Sequence, residues 1–96
     1  MRYDRPMEKR QFTRISKALA DPRRFEILQQ IVADDEVSCA SVKERHEITP
    51  ATLSHHLKEL ESAGLIEVRK ESKYVYVRLQ RPAWKAYVKE LKKIGR

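Results

Sequence analysis

The sequence is nearly devoid of cysteine and poor in glycine. Cys39 is the single cysteine among 96 residues, which excludes an intrachain disulfide framework and makes a reducing cytoplasm the expected compartment. With two glycines and four prolines there is no linker-like or low-complexity stretch and no internal repeat. No segment approaches the roughly 20 consecutive apolar residues that span a bilayer, and the opening MRYDRPMEKR lacks the apolar centre of a signal peptide. Neither membrane insertion nor secretion is expected. The chain, 41% hydrophobic and 36% charged, has the length and balance of one domain over residues 1–96.

Acidic residues are also scarce, but only at one end. Residues 1–64 hold 11 Lys/Arg and 11 Asp/Glu, whereas residues 65–96 hold 10 basic and 3 acidic, so the last third carries the whole net charge of +7. A one-sided cationic surface points to an anionic partner, nucleic acid or a membrane surface.

Between these absences the chain reads as a succession of short amphipathic elements. Phe12, Ile15 and Leu19 recur at helical spacing and predict a first helix over residues 7–20. Asp21-Pro22 is a helix-start signal, a capping acceptor followed by a fixed φ, and opens a second helix to about Ala33 carrying Phe25, Ile27, Leu28, Ile31 and Val32. Asp34, Asp35 and Glu36 read as a loop, and Ser38 caps a short third helix reaching about His46. Thr49-Pro50 repeats the start signal for a fourth helix closed by Gly64. Beyond Gly64 the period changes from 3.6 to 2, predicting a hairpin over residues 65–79 with a charged tip at 69–73. Because no Asn-Gly or Gly stands at that tip, a loop longer than two residues is expected. Arg81-Pro82 opens a last helix, residues 82–95, whose Trp84, Tyr87, Val88, Leu91 and Ile94 share one sector. The resulting fold class is mainly α with a small β-hairpin, a winged helix-turn-helix in the order α-α-α-α-β-β-α, with the helix-turn-helix at 38–63.

The fourth helix divides sharply. Leu53, Leu57 and Leu60 lie on one face, while Ala51, Ser54, His55 and Lys58 project from the other. The major groove of duplex DNA, about 12 Å wide, admits one helix. Small Ala51 and Ser54 allow close backbone approach, Thr52 and Ser54 can bond bases or phosphates, and His55 is the longest polar group at the centre. Lys58, Arg69, Lys70 and Lys73 are placed to hold phosphates on either side. His56, at the flank of the apolar stripe, reads as a partly buried hydrogen-bonding residue. A Cys39–His46 nucleophile pair lacks an orienting third group, so no enzyme is expected.

The segments ALADPRRFEIL, TPATLSHHLKELESAGLIEVRKE and YVYVRL together resemble the ArsR/SmtB family of winged helix-turn-helix repressors over about residues 12–80. The resemblance implies a homodimeric regulator of an operator, with Thr52, Ser54, His55 and His56 at DNA-contacting positions. It also implies that the first and last helices form the dimer contact, through Phe12, Ile15, Leu19, Trp84, Tyr87, Val88, Leu91 and Ile94. Two departures touch its turns: Glu47 stands where the connection commonly has Gly, and Ser72 replaces a usual wing Gly. The family's metal sites do not carry over, since EVSCASV offers one thiol where a Cys-x-Cys pair is needed, and residues 82–96 hold no His and a single acid, Glu90. No cofactor or metal is expected, and a small-molecule or redox effector is left open. So is the choice for Cys39 between packing and thiol sensing. An RNA-binding or protein-interaction module, or a cationic membrane binder using the last helix, would use the same elements.

Overall fold

The computed structural model describes residues 6–95. Five helices, α1 (Lys9–Ala18), α2 (Pro22–Asp34), α3 (Cys39–His46), α4 (Pro50–Ser62) and α5 (Arg81–Ile94), surround a three-stranded antiparallel sheet of β1 (Glu36–Ser38), β2 (Ile66–Glu71) and β3 (Tyr74–Leu79). The sheet order is β1-β3-β2. This is the winged helix-turn-helix arrangement expected from the residues, with one addition.

The addition is β1. Asp34, Asp35 and Glu36 are not all loop: Asp35 turns the chain at φ +69, and Glu36, Val37 and Ser38 then pair with Arg78, Val77 and Tyr76. Three residues are too short for an alternation signal, and the strand exists because β3 offers it an open edge. Its central Val37 is buried, beside a Val77 that is fully so.

Local chemistry fixes the helix starts. The Asp21 carboxylate accepts the Arg24 N–H at 3.0 Å, the Ser38 hydroxyl that of Ser41 at 3.1 Å, and the Thr49 hydroxyl that of Thr52 at 3.2 Å. Each satisfies an amide that the helix itself leaves without a partner. At the end of α4 the Leu65 N–H bonds the Leu60 carbonyl at 3.1 Å and the Gly64 N–H bonds that of Glu61 at 2.9 Å. These paired bonds form a Schellman closure, made possible by Gly64 at φ +82. A methyl group on Gly64 would also sit 2.8 Å from Gln11 Nε2.

Two other turns lack glycine and adopt the left-handed region regardless. Glu47 ends α3 at φ +51, and Ser72 stands at φ +59. The hairpin register runs to Glu71 opposite Tyr74, so the wing turns through Ser72 and Lys73 alone, a two-residue connection rather than the longer loop expected. Its positive φ is the sign that primed turns require at the first central residue, and Ser72 bears that strain.

Ile15, Ile27, Leu28, Ile31, Val42, Leu60, Leu65 and Val77 are the largest fully buried side chains, so α1 to α4 and the sheet share one core. Phe25, expected in the α2 stripe, is 39% exposed. No helix among the described residues is long and apolar enough to cross a membrane.

At fixed protein concentration, Glu47→Gly should stabilise the fold by about 0.5–1 kcal/mol by relieving a left-handed residue, a rise in Tm of about 4–8 °C per kcal/mol for a domain of this size. Gly64→Ala should destabilise it by about 1–2 kcal/mol, combining the unfavourable φ with the contact to Gln11. Thermal unfolding by circular dichroism reads both, and shifts of the opposite sign would contradict the turn geometry.

Candidate nucleic-acid interface

α4 enters the core by one face and leaves the other to solvent. Leu53, Leu57 and Leu60 are buried, and Ala51, Thr52, Ser54, His55 and Lys58 are all exposed. The five exposed residues occupy the first two and a half turns, and Ala51 and Thr52 stand in the first turn, where the helix dipole is positive. Three residues, Glu47 to Thr49, separate α3 from α4, which holds the two helices as a rigid pair.

The pair is braced from both ends. Gln30 of α2, 5% exposed, donates its amide to Ser41 Oγ at 3.0 Å and meets His46 Nε2 through its carbonyl oxygen at 3.1 Å. Arg23 of the same helix donates to the His46 carbonyl. At the far end, Gln11 and Arg14 of α1 reach the Ala63 and Ser62 carbonyls at 3.4 and 3.3 Å. The basic side chain meets the negative end of the α4 dipole, so α1 directly supports the helix whose outer face is free.

The wing residues divide into held and free. Arg69 is half-buried, paired with Glu36 at 3.3 Å and Glu71 at 2.7 Å, and lies 4.8 Å over the Tyr76 ring. These carboxylates hold its guanidinium pKa above the usual arginine value. Lys70 and Lys73 are exposed, and the Lys73 ammonium stands 5.6 Å over the Tyr74 ring. The expectation that all three cations face phosphates thus meets a difference: Arg69 is bound to the protein, because β1, unseen in the sequence pattern, brings Glu36 beside it.

His56 is the clearest departure from the DNA-contacting set. It is 6% exposed, with Nδ1 3.4 Å from Arg24 Nη1, while the Arg24 Nε donates to the Ala18 carbonyl at 2.6 Å. Adjacent helix residues point about 100° apart, so with His55 outside, His56 turns in. Sequence reasoning missed the Gln30 and Arg24 networks, because their partners are far apart in the chain. It also missed a groove of about 600 Å³ between α3, α4 and the hairpin.

A helix-turn-helix domain family model matches residues 19–69. The chain is 39% identical over 75 residues to the uncharacterized HTH-type transcriptional regulator YceK of Bacillus subtilis, covering 77% of this chain and 75% of that protein. It is 34% identical over 71 residues to the arsenical resistance operon repressor of Staphylococcus xylosus, 73% of this chain and 67% of the relative. The solution structure of the homodimeric winged helix-turn-helix DNA-binding domain Mb0332 from Mycobacterium bovis, a possible ArsR-family transcriptional regulator, superposes with a TM-score of 0.70 at 29% identity, over 88% of this chain and 79% of that one. The chain belongs to the ArsR family of winged helix-turn-helix transcriptional regulators. Members of that family bind DNA and are not enzymes. Against the cadmium resistance regulatory protein CadC of Listeria innocua, 33% identical over 60 residues, this ArsR-family chain spans 62% of its own length and half of the relative's.

The α1 and α5 faces of this ArsR-family regulator separate into interior and surface. Ile15 is 0% exposed and Tyr87 6%. The Tyr87 ring packs on Phe12 at 5.0 Å and its hydroxyl meets Ser16 Oγ at 2.9 Å. Both residues therefore belong to the chain's own core, because α5 folds back on α1 of the same chain. Phe12, Leu19, Trp84 and Val88 are half-buried, and Leu91 and Ile94 are 43% and 74% exposed.

Burial, assisted by the positive charges of Arg23 and Arg45 and opposed by Glu26, lowers the His46 pKa. Burial also lowers that of His56, with Asp21 opposing and Arg24, His55 and Arg23 assisting. A histidine whose folded pKa lies below its unfolded value of about 6.5 contributes stability that is complete above that pH and is lost as pH falls through the folded pKa. The urea midpoint should therefore be flat above about pH 7 and decline as pH falls below about 6.5. His46→Gln and His56→Gln should each flatten part of the decline, and a midpoint indifferent to pH there would contradict these burial assignments.

Proposed function

We propose that this chain acts as a homodimeric repressor that seats two copies of α4 in successive major grooves of an inverted-repeat operator. The single observation carrying the reading is the exposed face of α4, where Ala51, Thr52, Ser54 and His55 present small and polar groups on a helix whose opposite side is locked in the core. Thr52, Ser54 and His55 read base edges, and Ala51 lets the helix come close. Lys58, Lys70 and Lys73 hold the flanking phosphates and set orientation. Arg69 joins them only if it leaves Glu36 and Glu71, and His56 takes no part in contact.

The dimer forms through Leu91 and Ile94 of α5, with Trp84, Val88, Phe12 and Leu19 around them. Two-fold symmetry then spaces the two α4 helices about 34 Å apart, one turn of duplex. The homodimeric state of Mb0332 and the repressor function of the S. xylosus relative support this reading. A metal ion is not the signal we propose, since EVSCASV offers one thiol where the family's Cys-x-Cys pair stands and residues 82–96 hold no His. The place of action is the cytoplasm.

An operator selected from random duplexes tests the division of roles. His55→Ala should weaken the selected duplex by about 1–3 kcal/mol while leaving a scrambled duplex nearly unchanged. Lys73→Ala should weaken both alike and lower the salt dependence of log K by about one unit per subunit. Equal losses on both duplexes for both variants would overturn the assignment, and tighter binding of single-stranded RNA than of any duplex would overturn the class.

The double variant Leu91→Glu/Ile94→Glu changes two exposed residues and should keep its helicity. Sedimentation should show it as a monomer and binding should show a loss of operator affinity of at least about a hundredfold, since one half-site is then held alone. A variant that stays dimeric would move the interface elsewhere.

A further inference from the structure

The groove between α3, α4 and the hairpin has a composition that phosphate contact does not require. Its volume is about 600 Å³, within the range of small-molecule sites. The floor is apolar: Leu53 and Leu57 of α4 are buried, and Val68 and Val75 of the wing strands complete it. Lys43, Lys58, Lys70 and Lys73 stand around it, against one acid, Glu61. All four lysines are exposed, and none belongs to the ion pairs formed among the described residues. A duplex backbone has no use for an apolar floor, and a neutral hydrophobic ligand has no use for four ammonium groups.

We propose that this groove is a binding site for an amphipathic organic anion, an apolar body of roughly eight to twelve carbons carrying a carboxylate, whose occupancy competes with DNA. The apolar body lies on Leu53, Leu57, Val68 and Val75, and the carboxylate is held at the lysine rim. Charge complementarity selects the anion, and the floor rejects small inorganic ions, which would gain nothing from it. The competitive consequence rests on the reading that α4 and the wing hold the duplex, because Lys58, Lys70 and Lys73 then serve both ligands. Lys43, on α3, lies outside the proposed DNA contacts and serves the anion alone.

Cys39 provides a reporter inside the groove. It is half-buried and among the groove's lining residues, and burial pushes its thiol pKa up, partly offset by Lys43. It is the only thiol in the chain, so alkylation by N-ethylmaleimide at about pH 8 reads this site alone. With decanoate as the probe, at about ten times its Kd, labelling should slow about tenfold. Lys43→Glu should raise the concentration needed for that protection at least about tenfold, Lys43→Arg should restore it, and Lys85→Glu on α5 should leave it unchanged. Decanoate should also displace a fluorescent duplex from the wild-type protein over the same concentration range. An unchanged labelling rate, or protection equal in Lys43→Glu and wild type, would overturn the site. Protection without displacement would leave the site standing and overturn the placement of DNA on α4 and the wing.

Discussion

Everything on the outer surface depends on the seating of one helix. Leu53, Leu57 and Leu60 anchor α4 against the core, and full burial of each such side chain contributes about 1.5–3 kcal/mol. A rotation of α4 by one residue position would exchange this stripe for polar groups and withdraw Ser54 or His55, according to its direction, from solvent. The apolar side thus determines what the polar side can touch, and the proposed reading of DNA by α4 would be a consequence of core packing. The caps make the same point at the ends: Thr49 and the Gly64 closure define where α4 starts and stops.

The helix is also tied to parts of the chain distant in sequence. α2 holds α3 through Gln30, Ser41 and His46, and α1 holds the carboxyl end of α4 through Gln11 and Arg14. α5 rests on α1 through Tyr87, Phe12 and Ser16. A displacement of α5 or α1 therefore reaches α4 through direct contacts. In a dimer joined by α5, such a displacement would alter the spacing of the two α4 helices, which is the quantity an inverted repeat reads. Half-buried His46 and buried His56 lie within these contacts, and burial is the main cause that lowers the pKa of each.

Legibility in the sequence followed the range of the interaction responsible. Helix starts at Asp21, Ser38 and Thr49 and the stop at Gly64 were visible because a cap acts within four residues. The polar face of α4 and the alternation in β3 were visible because periodicity is local too. β1 was hidden, since three residues carry no period and its existence rests on a strand forty residues later. The confinement of Arg69 by Glu36 was hidden with it. The wing turn was misjudged for another reason: Ser72 adopts a positive φ without glycine, because the paired strands hold it there. Ile15 and Tyr87 looked like partners for a second subunit, since an amphipathic stripe shows that a face is covered but not by which chain. His56 was correctly placed at the flank of the stripe by its angle on the helix, whereas family resemblance alone put it on the DNA side.

The most direct test of the central claim is guanine N7 methylation interference on a selected operator, which reports the major groove at single-base resolution. The account predicts interference in two patches on one face of the duplex, centred about 34 Å apart and related by two-fold symmetry. Interference confined to a single patch, or operator binding with no guanine N7 interference at all, would contradict it.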